Sequence, residues 1–290
     1  MKDFSSFQNR YFVTAELVME KPLHIGKGAS LEPVGTDLPV IKTADGLPFI
    51  PGSAVKGVLR SEIERILRTL DSQRIKLGGR RIWACNIFDE KEKCIPQHKG
   101  TGSNRKSREE LEEESKGRDG KIEEEKFTQK ILEHSCTACS LFGSTEIASR
   151  IYIKDMPLID EIGLRTEIRD GIAIDRDTGT VKEHAKFDYE VVPAKTRFKF
   201  EAVLENVESW EVGLFGVVLK LWERGDIAIG GMTSRGLGWG RLENIRIEKV
   251  NGKDLVEYIL NGKRRPVNLE EYVKEFQNKL EEGENAQEQV

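Results

Sequence analysis

One segment limits the possible folds more than any other: GTDLPVIKTADGLPFIPGSAVKGVLRSEIERILRTL, residues 35–70. It reads as loop, turn and helix. Asp45-Gly46 is a turn dipeptide, and Pro48 and Pro51 keep the chain extended up to the helix. Ser53 suits an N-cap, which predicts a helix over 53–70. Within it Val55, Leu59, Ile63, Ile66, Leu67 and Leu70 recur at three- and four-residue spacing and form one apolar face. Lys56 and Arg60 stand in the first two turns, where unpaired N–H groups already carry partial positive charge. Two readings are open. An anion, most simply a phosphate, binds between them; or both are solvated and Arg60 pairs with Glu64, the weaker order of charges on a helix.

Composition narrows the class. With 38% hydrophobic and 33% charged residues among 290, the chain has material for one elaborated domain or two small ones. MKDFSSFQNR lacks the apolar centre of a secretory signal. The longest apolar run, Val212–Trp222, is interrupted by Lys220 and is too short to span a bilayer. A soluble, cytoplasmic protein with no membrane partner is expected. The net charge of −4 argues against a simple nucleic-acid binder, yet Glu270–Val290 alone holds seven acidic and two basic residues. Residues 1–269 therefore stand at +1, and a second acidic run spans Glu109–Glu125.

Alternating hydrophobicity predicts strands at 11–20, 150–159, 196–207 and 241–250. The apolar stretch Ser209–Arg224, stopped by Gly225, predicts a second helix, and 268–280 a short amphipathic one. Residues 165–192 read as a long hairpin turning at Asp177-Thr178-Gly179. Without the hairpin and the cysteine-bearing segment, the order is βαββαβ. The expected class is α+β: a ferredoxin-like or modified RNA-recognition-motif core, with both helices on one face of an antiparallel sheet and the open face available as an RNA platform. The expected division is a split core of 1–79 and 141–250, with the hairpin 165–192 projecting from it. Residues 80–140 form an insertion, its charge-dense part partly helical or disordered. Residues 251–290 supply a C-terminal helix and acidic tail.

The four cysteines fall in the insertion. Cys136 and Cys139 form C-x-x-C, the spacing for two ligands on one tetrahedral ion, and Cys85 and Cys94 supply the other pair across a turn-rich segment. The reading is a structural zinc site, with His98 or His134 able to replace a thiolate; the alternative is buried free cysteines. IGGMTSRGLGWGRL holds Gly230, Gly231, Gly236, Gly238 and Gly240 around Ser234 and Arg235. It follows a helix and enters a strand, unlike a Rossmann loop, and lacks the Lys-Ser/Thr of a P-loop. What remains is a backbone that approaches a phosphodiester closely, or a multi-glycine bend. The hairpin carries Arg165, Arg169 and Arg176. Titratable singles are His24, Asp37, Asp45, His98, His134 and His184. Asp37 reads either as a metal-binding or base carboxylate or as a turn residue.

Three blocks taken together resemble one family: residues 35–60, residues 136–155 with 169–193, and residues 229–242. They are similar to the RAMP superfamily, and within it to the repeated backbone subunit of type III CRISPR effector complexes. The resemblance implies copies stacking along a guide RNA in the cytoplasm of a bacterium or archaeon. Its partners would be guide RNA, target RNA, further copies and other effector subunits, including the large polymerase-like one. It implies that the hairpin 165–192 is a thumb wedging between nucleotides. It also implies metal-dependent target cleavage, using magnesium or another divalent ion, at an aspartate matched by Asp37. His24, Lys56 and the Gly-rich loop with Arg235 match RNA-contacting positions; Arg60, Arg165, Arg169 and Arg176 join them as candidates. Other readings are a structural guide-binding subunit that does not cut, a metal-independent guide-processing endonuclease with His24 as base, and a zinc-stabilised adaptor without RNA.

Overall fold

Alternation along the first strand decides which side of the sheet is covered. In β1 (Asn9–Met19), Tyr11, Val13, Ala15, Leu17 and Met19 are buried on one side. The computed structural model describes residues 4–28, 36–100, 102–160 and 164–285. Gly35, two residues of the 21–30 connection and the last five of the acidic tail lie outside them. α1 (Gly52–Ser72) lays Val55, Leu59, Ile63 and Leu67 on the buried side of the sheet. Its N-cap is Pro51 rather than Ser53, and no side chain of its own caps it. Asp155 Oδ1, from a distant segment, accepts from the Gly52 N–H at 2.7 Å, so the acid expected at a helix start arrives through tertiary structure.

A two-residue ladder, β2 (Lys76–Leu77) with β3 (Arg80–Arg81), leads into the insertion. There α2 (Arg108–Glu114), α3 (Glu124–His134) and α4 (Thr137–Phe142) order the charge-dense stretch; α2 opens on a Ser107–Glu110 capping box. β4 (Ile151–Ile153) is far shorter than 150–159, because after Ile153 the chain turns its Met156 N–H to the carbonyl of Ile50. Its continuation makes only isolated bridges, Met156 to Ile50 and Leu158 to Phe198. The hairpin is β5 (Glu167–Ile174) and β6 (Val181–Val191), a sheet of its own. β7 (Arg197–Glu205), α5 (Ser209–Arg224) and β8 (Gly240–Asn251) follow. α5 begins at a Glu208–Glu211 capping box and ends on Gly225 in the left-handed region, at the bounds its sequence predicts.

The end of the chain is no appendage. After α6 (Leu255–Asn261), β9 (Arg265–Val267) pairs antiparallel with β8 as a fifth strand. α7 (Leu269–Asn285) buries Leu269 and Phe276 in the same core as α5. A three-residue strand containing proline leaves no periodic signal, which is why it was not expected.

The main sheet has the order β4-β7-β1-β8-β9, each neighbour antiparallel. Its outward face carries ion pairs between neighbouring segments, Arg10–Glu205 at 3.1 Å, Lys154–Glu201 at 3.3 Å and Arg197 with Glu16, and one along β7, Lys199–Glu201 at 3.1 Å. The guanidinium of Arg264 lies 3.6 Å over the ring of Phe12. Many outward charges therefore satisfy one another, while Arg246, opposite Thr14, is exposed.

One ion pair is buried outright. Arg150 (0% exposed) donates through Nη1 and Nη2 to the carboxylate of Glu211 (1%) at 2.9 and 2.8 Å. It also donates to the carbonyls of Ser140 and Asn206 at 2.8 Å each. Full pairing offsets the desolvation of both charges and fastens α4 to α5.

Candidate nucleic-acid interface and metal centre

The sulfurs of Cys85, Cys94, Cys136 and Cys139 lie within 4.8 Å of one another, all buried, although most of the insertion separates the first two from the last two in sequence. Cys136 is the N-cap of α4, and its Sγ accepts from the N–H groups of Cys139 and Cys85 at 3.4 Å each. Cys85 and Cys139 Sγ are 3.6 Å apart. Zn–S bonds of about 2.3 Å in a tetrahedron require sulfurs about 3.8 Å apart, so the set fits such an ion. Hydrogen bonds from Cys136, Cys139 and Cys94 hold the Cys85 thiol far below its ordinary range. Neighbouring Cys136, Cys85 and Cys94, with burial, push Cys139 far above. Four thiols this close need a cation if all are to ionise. Neither histidine joins them: His98 is exposed and its Nδ1 lies 3.0 Å from Glu109 Oε1, while His134 ends α3 outside the group.

The second locality is a junction of four segments around His24. Its carbonyl accepts from the Gly231 N–H at 2.8 Å. Its Nδ1 lies 2.7 Å from the carbonyl of Glu190. A carbonyl only accepts, so Nδ1 carries the proton. Gly230, at φ +91°, has no room for a side chain, because a Cβ would stand 2.4 Å from the His24 carbonyl oxygen. Gly238, at φ +77°, would place one 2.0 Å from that of Ile229. These two contacts explain why the loop needs glycine. The buried ring of His24 (7% exposed) is thus a keystone beneath the loop and presents little surface to a ligand.

The Asp37 segment docks on the root of the hairpin. Leu38 and Tyr189 form a parallel bridge, with the Leu38 N–H donating to Asp188 and the Glu190 N–H to Leu38, at 3.1 and 3.0 Å. The Asp188 N–H donates to Asp37 Oδ2 at 2.9 Å; Asp37 is exposed. Asp170 faces Asp188 across the hairpin. A shared hydrogen bond with Asp170, aided by the charges of Asp170 and Asp37, raises the Asp188 carboxyl above its usual range. Lys186 Nζ lies 3.5 Å from Asp170 Oδ2 and offsets part of this negative charge, and among the described residues the three aspartates are not gathered tightly enough to form a metal cage.

The basic candidates divide. Arg60 is committed: Nε donates to Glu64 at 2.7 Å, Nη1 to the Gly143 carbonyl at 2.9 Å, and Nη2 to Cys139 Sγ at 3.4 Å. The Arg60–Glu64 pair is present, but Arg60 is largely buried rather than solvated, and it also ties α1 to the thiols. Lys56 has no partner among the described residues; burial and then Arg60 lower its pKa. Arg169 pairs with Glu167 at 3.1 Å. Arg165, Arg176 and Arg235 are exposed and, among the described residues, without a side-chain partner. Ser234 and Arg235 lie in a single 3₁₀ turn ended by Gly236. The side chain of His184 lies outside the described part. Sequence reasoning missed Glu190, Asp170, Asp188 and Asp155, each a single charge in a run that reads as ordinary strand or loop.

An antiparallel α+β body, a thiol cluster inserted behind its first helix and a glycine loop entering the last long strand define a recognised class. Residues 16–243 match the model of the RAMP superfamily, and the chain belongs to it. Over 75 residues, a quarter of this chain, it is 40% identical to a protein of Methanothermobacter thermautotrophicus (strain Delta H) named "CRISPR system Cms endoribonuclease Csm3". That match spans 29% of the relative's length.

Proposed function

We propose that this chain is a backbone subunit of a type III CRISPR complex, holding guide RNA and cutting the complementary target RNA at Asp37. The observation that carries the proposal is the hydrogen bond from the Asp188 N–H to Asp37 Oδ2, which sets the carboxylate at the root of the hairpin. Family membership and the endoribonuclease name of the relative support the class of activity. The core is read as ferredoxin-like: the strands β4-β7-β1-β8 stand in the order that βαββαβ connectivity gives, with β9 added at the edge.

In this reading the guide backbone runs by the Gly-rich loop, whose amides and Arg235 face phosphates, with Lys56 a further cation. The hairpin, carrying Arg165, Arg169, Arg176 and exposed Ile168, Ile172 and Ile174, wedges between nucleotides. The bend aligns a ribose 2′-oxygen with the adjacent phosphorus; the new O2′–P bond forms as the P–O5′ bond breaks. Asp37 takes up or orients the 2′-hydroxyl proton. Asp37 is the carboxylate that would position a magnesium-like ion arriving with the RNA, which would supply charge stabilisation at the phosphate. The four cysteines hold zinc and leave it no open position, so it stabilises and does not cut. Partners are guide RNA, target RNA, further copies and other effector subunits, in the cytoplasm.

The test is complex purified with its guide, incubated with complementary RNA with and without magnesium. Asp37→Ala is expected to lose about a hundredfold or more in cutting, with target affinity unchanged. Normal cutting by Asp37→Ala within an intact complex would refute the catalytic assignment.

A further inference from the structure

Glu190 is anomalous in the hairpin. Its cross-strand partner Ile168 and, farther out, Ile172 and Ile174 are exposed, yet this acid is only 7% exposed, buried at the root beside Val191 and Val192. Its carboxylate accepts from the Val40 N–H at 3.0 Å, from Lys42 Nζ at 2.5 Å and from the Thr166 hydroxyl. Its own N–H donates to the Leu38 carbonyl at 3.0 Å, and its carbonyl accepts from His24 Nδ1 at 2.7 Å. One residue therefore joins the hairpin's two strands to the Asp37 segment and to the histidine beneath the Gly-rich loop. The segment's backbone pairs on one side with residues 25–27, through the Gly26–Val40 bridge and the Ile41 N–H donating to the Ile25 carbonyl at 2.8 Å, and on the other with the hairpin root through the single parallel bridge Leu38–Tyr189. On the hairpin side a carboxylate with three donors, one of them charged, adds the side-chain hold, because any donor left unpaired there is costly.

We infer that Glu190 is a positioning residue: it clamps the Asp37–Lys42 segment to the hairpin root, so that the carboxylate and the RNA bent by the hairpin move as one body. This rests on the cleavage reading of Asp37. The clamp touches no reacting atom. Its consequence is register, since a displacement of about 1 Å at a reacting centre is enough to cost rate on the order of a hundredfold.

The experiment compares guide-loaded wild type, Glu190→Ala and Glu190→Gln on complementary RNA. Glu190→Ala is expected to cut about tenfold or more slowly at saturating RNA, with affinity within about twofold, and to spread its cuts to flanking bonds. Glu190→Gln restores much of the rate, since its amide oxygen still accepts from Val40. Amide hydrogen exchange at Leu38 and Val40 rises in Glu190→Ala while β1 keeps its protection. Wild-type rate and cut positions in Glu190→Ala, or unchanged exchange at Leu38 and Val40, overturns the clamp. If Glu190→Ala does not fold, Lys42→Met and Thr166→Val decide: smaller effects in the same direction support the clamp, and none in either overturns it. Normal cutting by Asp37→Ala sinks the cleavage reading alone, because the exchange measurement still tests the clamp.

Discussion

Around the four cysteines every ligand atom is buried, and the neighbours are donors: two backbone N–H groups and the guanidinium of Arg60. Around Asp37 the carboxylates are exposed or half-buried, and the neighbours are other carboxylates with Lys186 beside Asp170. The first arrangement could close on an ion and keep it from solvent. The second is open and, among the described residues, has no such closed cage. In one chain, burial and donor count separate a site fit to hold a structural metal from an open carboxylate site.

The largest effect tests the closed side. Chelation, or Cys136→Ser, forfeits binding free energy on the order of 10 kcal/mol and should lower the thermal midpoint more than any other change here. Lost cutting with an unchanged midpoint would invert the comparison. Next comes the fastening of the thiol helix to the core: Arg150→Ala strands a buried Glu211 and should cost about 3–5 kcal/mol in denaturant unfolding. The double change Arg150→Met with Glu211→Leu should cost less than the single one, because no charge is left behind. On the open side Gly238→Ala forces a side chain into the Ile229 carbonyl at positive φ, at about 1–3 kcal/mol, and should weaken RNA retention in a filter assay. The smallest effect concerns Lys56. Its lowered pKa means that it sheds its proton earlier than an ordinary lysine as pH rises. RNA retention should fall on the alkaline side sooner in wild type than in Lys56→Arg; identical profiles remove Lys56 from the interface.

What the sequence disclosed followed the strength of its periodic signals. α5, with its apolar run and terminal Gly225, was legible to its bounds. α1 was legible except for its cap, because Asp155 reaches Gly52 from a hundred residues away. β4 was overdrawn because the chain leaves its ladder after Ile153, turns Met156 to pair with Ile50 and rejoins β7 only at isolated contacts, while the hydrophobic pattern runs on. The cysteine set followed from C-x-x-C spacing, whereas the use of Arg60 depended on where α4 comes to rest. Asp37 stood out only through its motif. Its surroundings, Asp170, Asp188 and Glu190, arise from strand pairing, which no local pattern encodes.

The paired charges on the outward face of the main sheet also govern approach from a distance. Most cations there are cancelled within a few ångströms, Arg246 excepted, so beyond a Debye length of roughly 8 Å that face exerts reduced pull on a polyelectrolyte. Arg165, Arg176, Arg235 and Lys56 keep their fields uncancelled among the described residues. If the chain takes up RNA as proposed, an incoming strand would be steered more by the loops than by the sheet, and encounter rates should depend on ionic strength through such unpaired side chains.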